Sequence, residues 1–301
     1  MGRNTKEFQI VLNELFKFSK KSNITFLTHY TSLNALTNIL GESEIHFSNC
    51  YYLNDAKEIT HGLEIIDSIA NKRKIQIQNS APEFNKLGGY LDKLVKLVKA
   101  LRDDESAPKF YIFCLCEKRD LLSQWRGYSK DSCPIGIKFK ISGIGPSPSS
   151  RQKFYLLKII YNEKKQFGLI TRIIDSYLKK CSKKNADLDK ILFDTLQALI
   201  ISIVFFKKHV FKEEEEWRFL YFYFPSLKKS KKVKFKNCPK YVLPYVVFKF
   251  KELFPISNDC PINEIIIGPQ RHQLTEPSLI EYLKSNKLKI PITCSDIPYR
   301  T

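Results

Sequence analysis

No stretch of the 301-residue chain approaches the roughly 18 consecutive apolar residues of a membrane-spanning helix, because Lys, Arg, Asn or Ser interrupts every hydrophobic run. The N-terminal MGRNTKEFQIVLNELFKF is charged and amphipathic, and it lacks the apolar stretch and small-residue cleavage site of a secretory signal. These absences predict a soluble, cytoplasmic protein with no membrane partner. Cys-x-x-Cys pairs are missing as well. The eight cysteines are scattered at 50, 114, 116, 133, 181, 238, 260 and 294, and the five histidines at 29, 46, 61, 209 and 272 add no cluster. A zinc site needs several such ligands at defined spacing, so no metal is expected and the cysteines read as reduced core residues.

Glycine-rich phosphate loops are also lacking. GGY at 88–90 and GIGP at 143–146 have neither the dinucleotide fingerprint nor the Walker spacing, which argues against a dehydrogenase or an NTPase. No Gly-x-Ser-x-Gly elbow supports a Ser-His-Asp hydrolase. Neither a repeat of 20 to 50 residues nor a long linker interrupts the chain, and a single domain over 1–301 is expected.

Positive charge, by contrast, is abundant. Fifty Lys and Arg face 31 Asp and Glu, a net +19, while 43% hydrophobic residues suffice for a packed core. Lysine clusters at 72–74, 179–184 and 228–236 each read as a solvated face; together, with interleaved Tyr and Phe, they form a surface that attracts a polyanion.

Apolar spacing predicts an N-terminal helix over 5–20, a strand at 24–28, and a helix capped by Thr31 or Ser32 and stopped by Gly41. A strand at 44–49 precedes a largely helical stretch at 57–105, and buried strands follow at 109–116 and 132–141. After an extended segment at 153–161, helical spacing returns at 166–208 with a polar break near 179–185. Short strands at 217–224, 232–236, 245–250 and 264–268, a helix at 276–286 and a last strand KIPIT complete the chain. Strands and helices without regular βα alternation predict an α+β fold with helical insertions at 57–105 and 166–208.

Four segments carry more polar and aromatic residues than packing requires: THYTS (28–32), HFSNCYYLNDAKE (46–58), LLSQWRGYS (121–129) and FKEEEEWRF (211–219). His29 is placed after a strand and before a helix cap, where an imidazole can donate to a ribose or amide oxygen without titrating. In EEEE (213–216), alternate carboxylates share one face of an entering strand, which is expected to raise their pKa values, with Lys212 and Arg218 offsetting part of the charge. The competing reading is a solvated acidic run in which Glu216 simply pairs with Arg218. Asn54 and Asp55 suit a turn with Asp55 capping a helix. In an aromatic-rich loop, Trp125 and Tyr128 are able to stack on a nicotinamide or adenine ring and Arg126 to bind pyrophosphate; alternatively Trp125 plugs the core and Arg126 is a surface charge.

HYTSL before a helix, FSN then LND, SQWRGY before an apolar IGIKF strand, FxxExEWR, EIIIGP (264–269) and SDIPYR (295–300) together resemble the bacterial family DUF2971, from about residue 26 to the end. That family is similar in layout to the ADP-ribosyltransferase superfold, a split β-sheet core that binds NAD in a cleft. The resemblance implies a triad of His29, a second residue that is Ser48 or its competitors Tyr51 and Tyr52, and Glu216, with Glu214 completing an ExE pair. It further implies that Tyr30, Thr31, Asn54, Asp55, Trp125, Arg126, Tyr128 and Arg218 line the NAD site. A carboxylate against the ribose hydroxyls stabilises the oxocarbenium-like centre formed as nicotinamide leaves.

The resulting expectation is an NAD-dependent ADP-ribosyltransferase acting as an intracellular toxin or phage-defence effector. Its acceptor would be RNA, DNA or protein, and an antitoxin or other regulatory protein is a possible partner. The alternatives are a non-catalytic nucleic-acid-binding module, an NAD glycohydrolase and, more distantly, a metal-dependent nuclease.

Overall fold

The computed structural model describes residues 6–20, 24–52, 56–79, 85–100, 109–128, 133–141, 154–223, 230–238, 240–254, 260–269 and 271–298. Its strands are β1 (Phe26–Ser32), β2 (Glu44–Asn49), β3 (Lys109–Cys116), β4 (Pro134–Lys140), β5 (Phe154–Lys158), β6 (Glu216–Tyr223), β7 (Lys234–Asn237), β8 (Val242–Lys249), β9 (Ile262–Ile267) and β10 (Ile292–Cys294). They join one open sheet in the order β10-β9-β4-β1-β3-β2-β8-β7, with β6 on the other edge of β3 and β5 beyond it. All pairings are antiparallel except β9 with β10. The architecture is α+β, as expected.

Helices α1 (Lys6–Lys20), α3 (Ala56–Gln78), α4 (Asn85–Ala100), α6 (Glu163–Cys181) and α7 (Leu188–Val204) pack with one another, forming a layer against one face of the sheet. Their apolar stripes, including Leu12, Leu15, Ile66, Leu94, Ile170 and Leu199, close over Phe110, Ile112, Leu157 and Leu220. Gly62 of α3 permits the close approach of α7, since a Cβ there would lie 2.5 Å from Ile203 Cβ. The opposite face of the sheet, with Phe47, Phe113, Phe139 and Phe219, is covered by α2 (Leu33–Glu42) and α8 (Thr275–Ser285) through Leu36, Leu40, Leu279 and Leu283. Burial on both faces explains why β3 reads KFYIFCLC, with neighbouring apolar residues feeding different cores. Loss of the whole β3 contribution would therefore open both cores at once.

Strand β3 carries an irregularity that organises the rest. Along one edge it pairs continuously with β6, from Lys109 with Tyr223 to Cys116 with Glu216. Along the other it pairs with β2 at one end (Ser48 with Ile112, Asn49 with Tyr111) and with β1 at the other (Thr28 with Cys116). The two strands part between these points, so the sheet forks over residues 113–115.

Several local expectations are corrected. Strand β1 continues through Ser32, so His29 lies mid-strand rather than at a strand mouth. Ser32, not Thr31, caps α2, its hydroxyl accepting from Ala35 N at 3.2 Å. Helix α2 runs past Gly41, and Ser43 takes the left-handed conformation (φ 50°) that ends it. The segment around Trp125, expected as a loop, is α5 (Leu122–Tyr128). Residues His209–Glu214 form a 3-10 helix, and Glu215 is left-handed (φ 41°). The acidic run thus does not enter β6 in extended form, and strand alternation does not place Glu214 beside Glu216.

Candidate functional site

At the fork the carbonyl of Cys114 points into the gap between β1 and β2, where neither strand reaches it. His29 fills the place: its Nδ1 lies 2.8 Å from that oxygen, and its ring rests on Phe113 with centroids 4.2 Å apart. A carbonyl can only accept, so Nδ1 carries the proton and Nε2 is an acceptor. Burial lowers the His29 pKa to about 4, with the hydrogen bond to Cys114 opposing and the Lys236 charge reinforcing the shift. The imidazole is neutral at physiological pH. Its Nε2 has no hydrogen-bond partner among the described residues.

The acidic run folds into a compact ion cluster on the other edge of β3. Arg218 donates through Nε to Glu216 Oε1 (2.6 Å) and through Nη2 to Oε2 (3.0 Å), and also to the Val204 carbonyl (2.7 Å). Lys207 Nζ donates to Glu216 (3.1 Å) and Glu214 (2.6 Å). Two cations therefore neutralise two carboxylates in the interior, where unpaired charge is costly. Burial on its own would raise the Glu216 pKa, but Arg218 and Lys207 overcome it and hold the group down at about 2. The expected upward shift from like-charge crowding is overturned because lysine and arginine, not other glutamates, are the nearest charges. Lys207 is positioned by its backbone: its carbonyl accepts from Gln166 Nε2 (2.9 Å), and Gln166 is braced by His61 (3.0 Å).

The register fixes how these groups relate. Thr28, Cys116 and Glu216 form one row across β1, β3 and β6, which sets Glu216 about two strand spacings, ~10 Å, from β1. Cys114 is paired with Arg218, and adjacent residues of a strand face opposite sides. The His29 ring on Phe113 and the Glu216–Arg218 pair on the Cys114 side thus approach β3 from opposite faces. The structure brings Glu214, Glu216 and Arg218 together around Lys207, and it does not bring the His29 ring and the Glu216 carboxylate together. Ser48 belongs to a different row, Leu220–Ile112–Ser48–Tyr245–Lys234, on the other arm of the fork. Tyr51 packs towards the helical layer, while Tyr52 is exposed with its ring 6.2 Å from Tyr241.

Tyr30, Thr31 and Trp125 are packed in the interior. Tyr30 is buried, donates to the Lys118 carbonyl (2.9 Å) and meets Trp125 edge-on at 4.7 Å. Thr31 is buried as well. Trp125 is wholly enclosed among Tyr30, Cys116 and Ile266, with glycines 136 and 268 leaving room for its ring. Its indole has no face open for stacking on a ligand, which corrects the expected cofactor role. Arg126 is exposed, while Asn54 and Asp55 and the side chain of Tyr128 lie outside the described residues.

Sequence reasoning missed Lys207, Gln166 and Asp120. Asp120 accepts from the Trp125 indole and from Ser295 Oγ (2.8 Å), clasping the C-terminal segment to α5. This contact brings the SQW and SDI segments together in space although some 170 residues separate them. Among the described residues no group of His, Cys, Asp and Glu could hold a metal ion, and no helix is long and apolar enough to cross a membrane. No curated protein and no solved structure matches the chain. Residues 124–219, which reach from α5 to β6 and include Glu214, Glu216 and Arg218, match the model of the family described as a protein of unknown function (DUF2971).

Proposed function

We propose that the chain is a nucleic-acid-binding protein whose contact surface is the β7 end of the sheet. One observation carries this reading. The buried carboxylates Glu216 and Glu264 are matched by cations, whereas Lys232, Lys234, Lys236 and Lys240 at the sheet edge have no ion-pair partner among the described residues. Every residue of β7 is exposed, and although partial burial lowers the Lys236 pKa, this charge is available to phosphates. Electrophoretic or anisotropy titration with nucleic acid at several salt concentrations tests the reading. Binding that weakens steeply with salt, and weakens further in Lys234→Glu/Lys236→Glu, is the expected result; salt-insensitive binding or none rejects it.

A second reading, an NAD-dependent ADP-ribosyltransferase modifying nucleic acid or protein, is favoured by His29. Its neutral ring offers an acceptor Nε2 that nothing satisfies among the described residues, and such an atom suits a ribose hydroxyl of NAD as substrate. Glu216 is ionised and suits a fixed counter-charge, but Arg218 and Lys207 already engage both of its oxygens. Catalysis would therefore require that cluster to open. Incubation with labelled NAD, with and without RNA, DNA and cell lysate, separates the cases. Labelled macromolecule lost in folded Glu216→Gln supports a transferase, nicotinamide release alone a glycohydrolase, and no turnover leaves the binding protein.

A further inference from the structure

The face of the sheet that leads from the β7 edge to the fork carries more than charge. Lys234, Tyr245, Ser48 and Ile112 are direct partners across β7, β8, β2 and β3, so their side chains share one face. Lys236 lies two residues from Lys234 on that same face, opposite Leu243, and His46 lies two residues from Ser48. The His46 and Tyr245 rings are 4.4 Å apart, and Lys236 Nζ stands 5.7 Å from the Tyr245 centroid. Both rings are partly exposed. At the Val242 end of β8, Tyr241 and Tyr52, each more than two-fifths exposed, are tied by a hydrogen bond from Tyr241 Oη to the Tyr52 carbonyl (2.8 Å). Glu44, an acidic residue on this face, is held by Lys249 at 2.7 Å and lies at the far end of β2.

We infer that this face binds single-stranded nucleic acid, the lysines of β7 holding phosphates while unstacked bases rest on Tyr245 with His46 and on the Tyr52–Tyr241 pair. The inference rests on the nucleic-acid reading above and narrows its substrate class. Duplex offers phosphates but no open base faces, so aromatic side chains set beside lysines favour a single strand. Base stacking on an aromatic ring tolerates any sequence, and the predicted preference is for strandedness, not for a motif.

The test uses the full chain with a fluorescein-labelled oligothymidylate and its ribonucleotide equivalent of about 16 nucleotides, and the matching duplex. Tyr245→Ala is expected to weaken single-strand binding about tenfold and to leave duplex binding within about twofold. Lys234→Glu/Lys236→Glu is expected to weaken both and to flatten the single-strand salt dependence by about 1.4 in log–log slope. Lys183→Glu/Lys184→Glu, an equal charge change on the exposed turn between α6 and α7, should leave affinity within about twofold. If duplex binds as tightly as single strand, or Tyr245→Ala changes both alike, the single-strand inference falls while the nucleic-acid reading stands. If both lysine pairs have equal effects, only net charge is sensed and both fall. Circular dichroism of each variant shows whether a loss reflects unfolding, and Tyr245→Phe, which keeps the ring, must then retain binding for the inference to survive.

Discussion

Two charged regions of the molecule solve opposite problems. Around Lys207 the chain encloses Glu214, Glu216 and Arg218 and cancels their charges within hydrogen-bond distance. At β7 it leaves lysines exposed and unmatched among the described residues. The interior cluster is charge-neutral because desolvation leaves no other low-energy arrangement, whereas the edge can hold excess charge because water screens it. The net charge of +19 therefore says little about the interior and much about the surface.

The sharpest way to break this contrast is to remove one interior partner. Arg218→Ala is expected to cost roughly 3–5 kcal/mol, because Glu216 is left buried with less compensation. Replacing both partners, as in Glu216→Gln with Arg218→Met, should cost less than that single change; urea denaturation of the variants decides. A cost for the pair equal to the sum of the single costs would mean that the two side chains act independently.

Acid provides a second probe. The Glu216 pKa is depressed from 4.5 to about 2 by its cations, so its contribution to stability is present above about pH 4.5 and is lost as pH falls towards 2. The midpoint of thermal unfolding should drop across that window, and Glu216→Gln should flatten the drop. His29 adds an earlier component. Its pKa is lowered from 6.5 to about 4, and for a base this means the unfolded chain binds a proton first, so stability declines as pH falls from 6.5 and levels off near 4. His29→Phe should abolish this component and cost about 1–3 kcal/mol by orphaning the Cys114 carbonyl. His29→Gln, which keeps a donor, should cost less.

The smallest effect belongs to the edge. Lys234→Glu/Lys236→Glu should change stability by no more than about 0.5 kcal/mol, measured by the same denaturation, even though it is the variant expected to lose nucleic acid. A larger loss would show that β7 depends on its lysines for folding, and the contrast between the two regions would fail.

The elements were largely legible because their periodicities are strong. The stripe Leu87, Leu91, Leu94, Val98 became α4, and KFYIFCLC became the buried β3. The polar break at 179–185 became the last residues of α6 and the start of the turn before α7. The site was legible in part. FKEEEEWRF did mark a concentration of charge, yet its physics reversed once Lys207 arrived from the end of α7, a residue with no local signal. The local pattern of LLSQWRGYS leaves Trp125 open to a ligand loop or to the core, because an indole suits both. Burial against Ile266 and the clasp by Asp120 decided for the core.

Local pattern by itself determined most of the helices, most strand positions and the excess of positive charge, since these follow from composition and the spacing of neighbouring residues. Which charges are cancelled and which are left over was decided only in three dimensions. So were the fork that leaves Cys114 to His29 and the row from Lys234 to Ile112. These depend on strand register, and register is set by contacts between segments that the linear order keeps more than 60 residues apart, as for Ser48 with Ile112.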